Sequence, residues 1–243
     1  MNIGLLGFGV VGGGVWELAQ ENRALNVKKV LVRREAPSLG KAAVQDVEAI
    51  LRDTEIDTVV EVLGGLHPAY EWICRALAAG KDVVTANKAV ISAYYRELTA
   101  LARENGVALR CTAAVGGGIP WLVNLQRCRR VDTVTEVGGI MNGTTNFIMD
   151  AMARQGADFP AVLQRAQELG YAEADPSADI DGDDIRRKLT ISANIAFDAL
   201  LREEDIPAFG IRTVTGADVA DFRAHGFTCK LLACAQRTET GVA

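Results

Sequence analysis

Through the first half of the chain, short apolar runs alternate with stretches in which apolar residues recur every three or four positions. That alternation predicts strands at 2–6, 28–33, 58–63, 82–85 and 107–112, and helices near 13–23, 46–53, 68–79 and 92–105. Gly80 and Gly106 stand where helix C-terminal glycines belong, closing the third and fourth helices. Strands and helices in this order make βαβ units and a parallel sheet, so the expected class is α/β with a doubly wound first domain.

Beyond Gly116-Gly117-Gly118-Ile119-Pro120 the texture changes. A helix near 119–127 and a strand-like 133–140 lead into the polar turn Asn142-Gly143-Thr144-Thr145-Asn146. Helices near 147–155 and 159–169 follow, then an acidic loop 173–184, a long helical pattern 184–201 and a strand-like 227–236. The boundary is expected near 115–130, dividing the chain into a nucleotide domain 1–120 and an α+β domain 121–243.

Composition narrows the partners. About half of the 243 residues are apolar, enough to fill a real core. The formal charge of −5, with signs interspersed, leaves no basic stripe for nucleic acid or an anionic membrane. No run approaches the roughly 18 apolar residues of a membrane span. Met1 leads straight into Asn2-Ile3-Gly4-Leu5-Leu6 without a targeting pattern, so a cytoplasmic location is expected. Cys74, Cys111, Cys128, Cys229 and Cys234 contain no Cys-x-x-Cys pair; they are expected to be reduced, mostly buried, and neither zinc-binding nor catalytic.

The most informative short segment is Gly7-Phe8-Gly9-Val10-Val11-Gly12, a G-x-G-x-x-G directly after a strand and before a helix. Its first glycine permits a tight turn, its second lets a pyrophosphate approach the backbone, and its third lets helix and strand pack closely. Free amides at the helix start then face the phosphates. A Rossmann-like dinucleotide-binding domain follows. An NAD-selective site of this kind places Asp or Glu at the end of the second strand, where this chain has Val32-Arg33-Arg34. Arginine meets a 2′-phosphate with charge-assisted bonds, so NADP(H) is favoured over NAD(H).

Two further segments carry titratable groups. Thr85-Ala86-Asn87-Lys88 lies just past a strand, on the edge where ligands of open α/β sheets bind; Lys88 is there either a substrate contact or a solvated side chain. Six acids, Glu173, Asp175, Asp179, Asp181, Asp183 and Asp184, precede the helix that carries Lys188. Asp184 and Lys188 have the spacing of an ordinary i,i+4 ion pair. Ile191 and Ile195 continue the same face, which turns that pair inward. An ammonium so held is suited to deliver a proton to the oxygen left by hydride transfer to an aldehyde.

Together these segments resemble homoserine dehydrogenase. The resemblance rests on the glycine turn at 7–12, on Thr85-Ala86-Asn87-Lys88, on Val115-Gly116-Gly117-Gly118-Ile119-Pro120 and on Asn142-Gly143-Thr144-Thr145-Asn146. It rests above all on Leu169-Gly170-Tyr171-Ala172-Glu173-Ala174-Asp175-Pro176 through Asp179, Gly182, Asp184 and Lys188. It implies NAD(P)-dependent interconversion of aspartate semialdehyde and homoserine, in threonine and methionine biosynthesis. It implies that the second domain binds substrate and forms a homodimer on a mixed sheet with helices.

By the same resemblance Lys188 is the proton donor, with Lys88 beside the reacting carbonyl and the nicotinamide. Glu173 and Asp184 bind the substrate's amino group, and Asn142, Gly143 and Thr144 line the space between substrate and nicotinamide. Phe8, Val10 and Val11 contact the cofactor, and Arg33 the ribose phosphate. Members of the family also carry a sodium ion held largely by backbone carbonyls; the matching positions are Thr112, Val115, Gly117 and Ile119, with Thr112 where glutamate is common. The family continues through further strands, often with a regulatory ACT domain; neither follows here, so the second domain is read as truncated and threonine feedback through an ACT domain is not expected.

Two alternatives come from other classes. Aspartate-semialdehyde dehydrogenase acts on the same aldehyde through a cysteine nucleophile and a histidine base. Here His67 and His225 both read as surface residues. A non-catalytic NADP(H)-binding remnant is the other, against which stands the retention of Lys88, Lys188, Glu173 and Asp184.

Overall fold

The computed structural model describes residues 1–243, which divide into two compact units, Met1–Asn124 and Leu125–Ala243. In the first unit the strands are β1 (Asn2–Leu6), β2 (Asn26–Leu31), β3 (Ala43–Val44), β4 (Thr58–Glu61), β5 (Asp82–Thr85) and β6 (Leu109–Arg110). They form one parallel sheet in the order β3-β2-β1-β4-β5-β6. The helices are α1 (Val10–Glu21), α2 (Glu48–Leu51), α3 (Ala69–Ala78) and α4 (Lys88–Glu104). Strand order reverses between β1 and β4, and the crevice outside the carboxyl ends of such strands is where doubly wound sheets bind ligands.

Helix packing against this sheet depends on small residues. A Cβ at Gly4 would lie 2.3 Å from Ile50 of α2, so only glycine admits that helix over β1. At the amino ends of the strands, Lys81 is 5% exposed and donates to the carbonyls of Asp53 and Ile56 at 2.7 and 2.6 Å. Burial pushes its ammonium pKa down, and the nearby Asp53 and Asp57 carboxylates act against that shift.

The second unit is helical over a small sheet. It contains most of α5 (Trp121–Cys128), then β7 (Glu136–Gly139), α6 (Gly143–Gln155), α7 (Phe159–Glu168), α8 (Ser177–Ile180), α9 (Asp183–Phe197), α10 (Gly216–Ala224) and β8 (Ala233–Gln236). β7 and β8 pair antiparallel from Glu136↔Gln236 to Gly139↔Ala233, so the sheet here is a two-stranded antiparallel ladder and not a mixed one. A core of Ile148, Met149, Met152, Val162, Ile180, Ile211 and Val219 joins α6, α7, α8 and α10.

Several boundaries differ from the sequence pattern, for identifiable reasons. α4 starts at Lys88 and not at 92, because Asn87 caps it by accepting from the Val90 amide. α6 starts at Gly143 and not at 147, because Asn142 caps it in the same way from Thr145. α9 stops at Phe197 and not at 201: Asp198 adopts a left-handed conformation and Asn194 bonds Leu201 through both backbone groups. α10 was not expected; its Thr215 and Asp218 form a capping box, but of its residues only Val219 is buried, so no apolar stripe marks it.

Candidate active site

At the carboxyl edge of the first unit, the glycine turn has three distinct local environments. Gly7 has φ +105°, which favours glycine. A Cβ at Gly12 would lie 2.3 Å from the Gly7 carbonyl oxygen, so the start of α1 sits against the end of β1 only because that position has no side chain. A Cβ at Gly9 would meet nothing within 4 Å, and Val10 is 95% exposed, so the N-terminus of α1 opens to solvent. Phe8 is partly buried against the core of this unit, and Val11 is exposed. Arg33 and Arg34 follow β2 and are both exposed.

The neighbouring strands contribute a polar cluster. Thr85 ends β5, Asn87 caps α4, and Lys88 is the first residue of that helix. Between them lies Glu61, the last residue of β4 and fully buried. Its Oε2 accepts from the Thr85 hydroxyl at 2.5 Å, and its Oε1 from the Leu63 amide at 2.8 Å. Sequence reasoning missed Glu61, because Thr58-Val59-Val60-Glu61 looked like an apolar strand running on through 63. A charge ending a buried strand on the ligand edge was the available signal.

Further along the first unit, Thr112 begins a short 3-10 turn to Ala114, and Gly116 and Gly117 are left-handed with φ +83° and +59°. The Thr112 carbonyl accepts from Val115 and that of Ile119 from Trp121.

In the second unit the structure sorts the six acids. Asp181 is held by Arg212 through two bonds of 2.7 Å, which push its pKa down. Asp183 pairs with Arg186 at 2.6 Å. Asp175 accepts from the Ser177 amide at the start of α8, and hydrogen bonding to Ser177 lowers its pKa. Glu173 is exposed; its backbone carbonyl accepts from Gln167. Only Asp179 and Asp184 converge, both on the side-chain amide of Asn142, at 2.6 and 2.8 Å.

Asp184 also meets the Lys188 ammonium at 2.6 Å, with the lysine side chain 18% and the aspartate 8% exposed. Lys188 donates a second bond, of 2.7 Å, to the Met141 carbonyl. The turn that carries these groups is fixed from both sides. Gly182 caps α9 at φ +91°, and a Cβ at Gly210 would lie 2.0 Å from the Ile180 carbonyl, so the 209–211 segment is pressed against the start of α9. Thr144 donates to the Tyr171 carbonyl at 2.7 Å, and Tyr171 stacks on Phe147, tying the start of α6 to the segment before the acids. Gly143 is exposed beside them.

Some features lie elsewhere. One cavity of this unit, about 770 Å³, is an apolar groove lined by Ile185, Leu189, Phe209, Leu231 and Leu232 among others; Lys188, Asp184 and Asn142 do not line it. His67 and His225 are exposed and pair with Glu71 and Asp221 on their own helical turns. The cysteines are all free, as the sequence suggested, but they are not mostly buried: Cys111 is, Cys74 and Cys229 are half-buried, and Cys128 and Cys234 are exposed. Each of the last two lies near the end of a short element on the surface, where its small size decided nothing about burial.

The sheet order and the glycine turn define a dinucleotide-binding protein of the doubly wound class. Residues 7–112 match the model of the homoserine dehydrogenase NAD-binding domain, and residues 120–243 match that of homoserine dehydrogenase itself. The chain belongs to the homoserine dehydrogenase family. It is 44% identical over 247 residues to a homoserine dehydrogenase of Synechocystis, an alignment that takes in 97% of this chain and 57% of that relative. A crystal structure of a homoserine dehydrogenase from Thiobacillus denitrificans superposes with a TM-score of 0.94 at 40% identity, over 100% of this chain and 59% of that one. A hyperthermophilic archaeal homoserine dehydrogenase in complex with NADPH gives a TM-score of 0.80 at 26% identity, over 97% of this chain and 78% of its own. The chain thus spans under three fifths of the length of the first curated relatives it matches. No helix is long and apolar enough to cross a membrane.

Asn142→Ala leaves two carboxylates facing one another without their shared donor and removes the cap of α6. It is expected to cost about 2–4 kcal/mol of stability in the second unit, read as an earlier midpoint in urea unfolding followed by circular dichroism. A midpoint equal to that of the wild type would show that the amide does not hold the carboxylates.

Proposed function

We propose that this chain interconverts L-aspartate 4-semialdehyde and L-homoserine by hydride transfer with NADPH. The observation that carries the reading is the Lys188 cluster: a largely buried ammonium between Asp184 and a backbone carbonyl, with Asp184 sharing the Asn142 amide with one further carboxylate, Asp179. When bound, the nicotinamide supplies the hydride. The glycine turn fits the cofactor's pyrophosphate, since Gly9 leaves the start of α1 open while Gly7 and Gly12 have the geometry that holds the turn.

The roles proposed are those that the resemblance to homoserine dehydrogenase implies. Phe8, Val10 and Val11 present the cofactor loop, and Arg33 meets the 2′-phosphate from the end of β2. Lys88, at the head of α4, polarises the substrate carbonyl from the ligand edge of its sheet. Glu173 and Asp184 bind the substrate ammonium, and Asn142, Gly143 and Thr144 form the adjoining wall. Lys188 gives a proton to the aldehyde oxygen as it gains charge, and takes one from homoserine in the reverse direction. Asp184 then serves twice, as counter-ion to Lys188 and as a contact of the substrate.

For a sodium ion the chain offers the carbonyls of Thr112, Val115, Gly117 and Ile119 around the left-handed Gly116-Gly117 turn. No cluster of three or more His, Cys, Asp or Glu accompanies them. Neutral oxygens fit a loosely held monovalent cation, which would stiffen the turn, and no catalytic step is assigned to it. A homodimer built on residues 121–243 is the proposed assembly.

The deciding assay is loss of NADPH absorbance on addition of aspartate semialdehyde, before and after alkylation of the exposed thiols. Turnover that survives alkylation supports a lysine-based reaction and excludes Cys128 and Cys234 as nucleophiles. NADPH binding without turnover would favour the non-catalytic reading. Arg33→Ala is expected to weaken NADPH by about 1.5–3 kcal/mol more than NADH in a fluorescence titration. Equal losses for the two cofactors would contradict the phosphate contact.

A further inference from the structure

The mechanism above leaves Glu61 without a part, although it is fully buried and lies at the topological switch point of the sheet. A carboxyl group in that place is costly unless it is repaid by several donors, and an apolar residue would pack β4 equally well. What distinguishes Glu61 is where its partners sit. Each belongs to a segment at the ligand edge: Leu63 in the loop after β4, Thr85 at the end of β5, and Asn87, whose side-chain nitrogen lies 3.4 Å from Oε1.

The connections continue outward from these partners. The Thr85 hydroxyl accepts from the Asn87 amide at 2.9 Å, and the Asn87 side chain donates to the Gly65 carbonyl at 2.7 Å while accepting from Val90 in the first turn of α4. On the other side, a Cβ at Gly7 would touch the Val62 carbonyl and the Leu63 side chain, so the loop after β4 forms the wall of the glycine turn. Glu61 bonds to both the loop beside the dinucleotide turn and the segment that aims Lys88, and Asn87, through Gly65 and Val90, adds a second link between them.

We propose that Glu61 is a positioning residue for Lys88. It fixes the 85–88 turn, and with it the first turn of α4, relative to the loop after β4. The proposal rests on the role given to Lys88 above. Both carboxyl oxygens accept here; an amide would set a donor against the Leu63 and Asn87 nitrogens, or, turned the other way, would make the Thr85 hydroxyl accept and leave its proton without this partner.

The test uses the full chain with Glu61→Gln, Lys88→Ala and the double variant, together with Thr85→Val should Glu61→Gln not fold. Hydrogen exchange of the Val90 and Ile91 amides is expected to quicken about tenfold in Glu61→Gln, with exchange in the first turn of α1 unchanged. With aspartate semialdehyde, kcat should fall about tenfold while the Kd for NADPH stays within about twofold, and adding Glu61→Gln to Lys88→Ala should cause no further loss. Losses that multiply in the double variant, or unchanged exchange at Val90 and Ile91, would overturn the proposal. If the wild-type chain does not turn over, the reaction proposed above fails and the exchange measurement alone decides the role of Glu61.

Discussion

A charged amine withdrawn from water has to be given its counter-charge and its hydrogen-bond acceptors by the protein, and in the second unit that requirement organises the chain around it. Lys188 meets Asp184 and the Met141 carbonyl. Asp184 is in turn shared with Asn142, and Asn142 also holds Asp179 and caps α6. Four segments are therefore tied through one amide: the end of the β7 connection, the start of α6, α8, and the first turn of α9. Asp183 and Asp184 in that first turn are also favoured by the helix dipole, so stability and chemistry ask for carboxylates at the same place.

The first unit handles charge differently at its two edges. At the amino ends of its strands Lys81 is buried on two backbone carbonyls, an arrangement that closes off a polar gap and leaves nothing for a ligand. At the carboxyl ends Glu61 is buried on the end of β5 and the loop after β4, beside a glycine turn open to solvent. Both are buried ionisable side chains in one sheet. Only the second is coupled to the surface where a dinucleotide can bind.

Much of this was legible in the sequence, and the reasons are specific. Gly7 and Gly12 were readable because backbone sterics dictate glycine at the turn and at the close approach of α1, and Gly9 because the start of α1 is left open there. The inward turn of Asp184 and Lys188 was readable from Ile191 and Ile195 on the same helical face, both of which are buried. Helix starts at Lys88 and Gly143 were not read, since apolar periodicity says nothing about a first turn that is fixed by an asparagine cap. Nor could it show that Asp179 would join Asp184 at the Asn142 amide, or that Asp181 would be taken by Arg212, 31 residues further along the chain. Glu61 was hidden for a related reason: its partners Leu63, Thr85 and Asn87 come together only when β4 and β5 lie side by side.

The central claim is that Lys188 moves the proton. The most direct test is to compare the wild-type chain with Lys188→Ala, following NADPH oxidation by aspartate semialdehyde and NADPH affinity by fluorescence. The account predicts that turnover falls by about a hundredfold or more while NADPH affinity stays within about tenfold. A Lys188→Ala chain that turns over at close to the wild-type rate would contradict it.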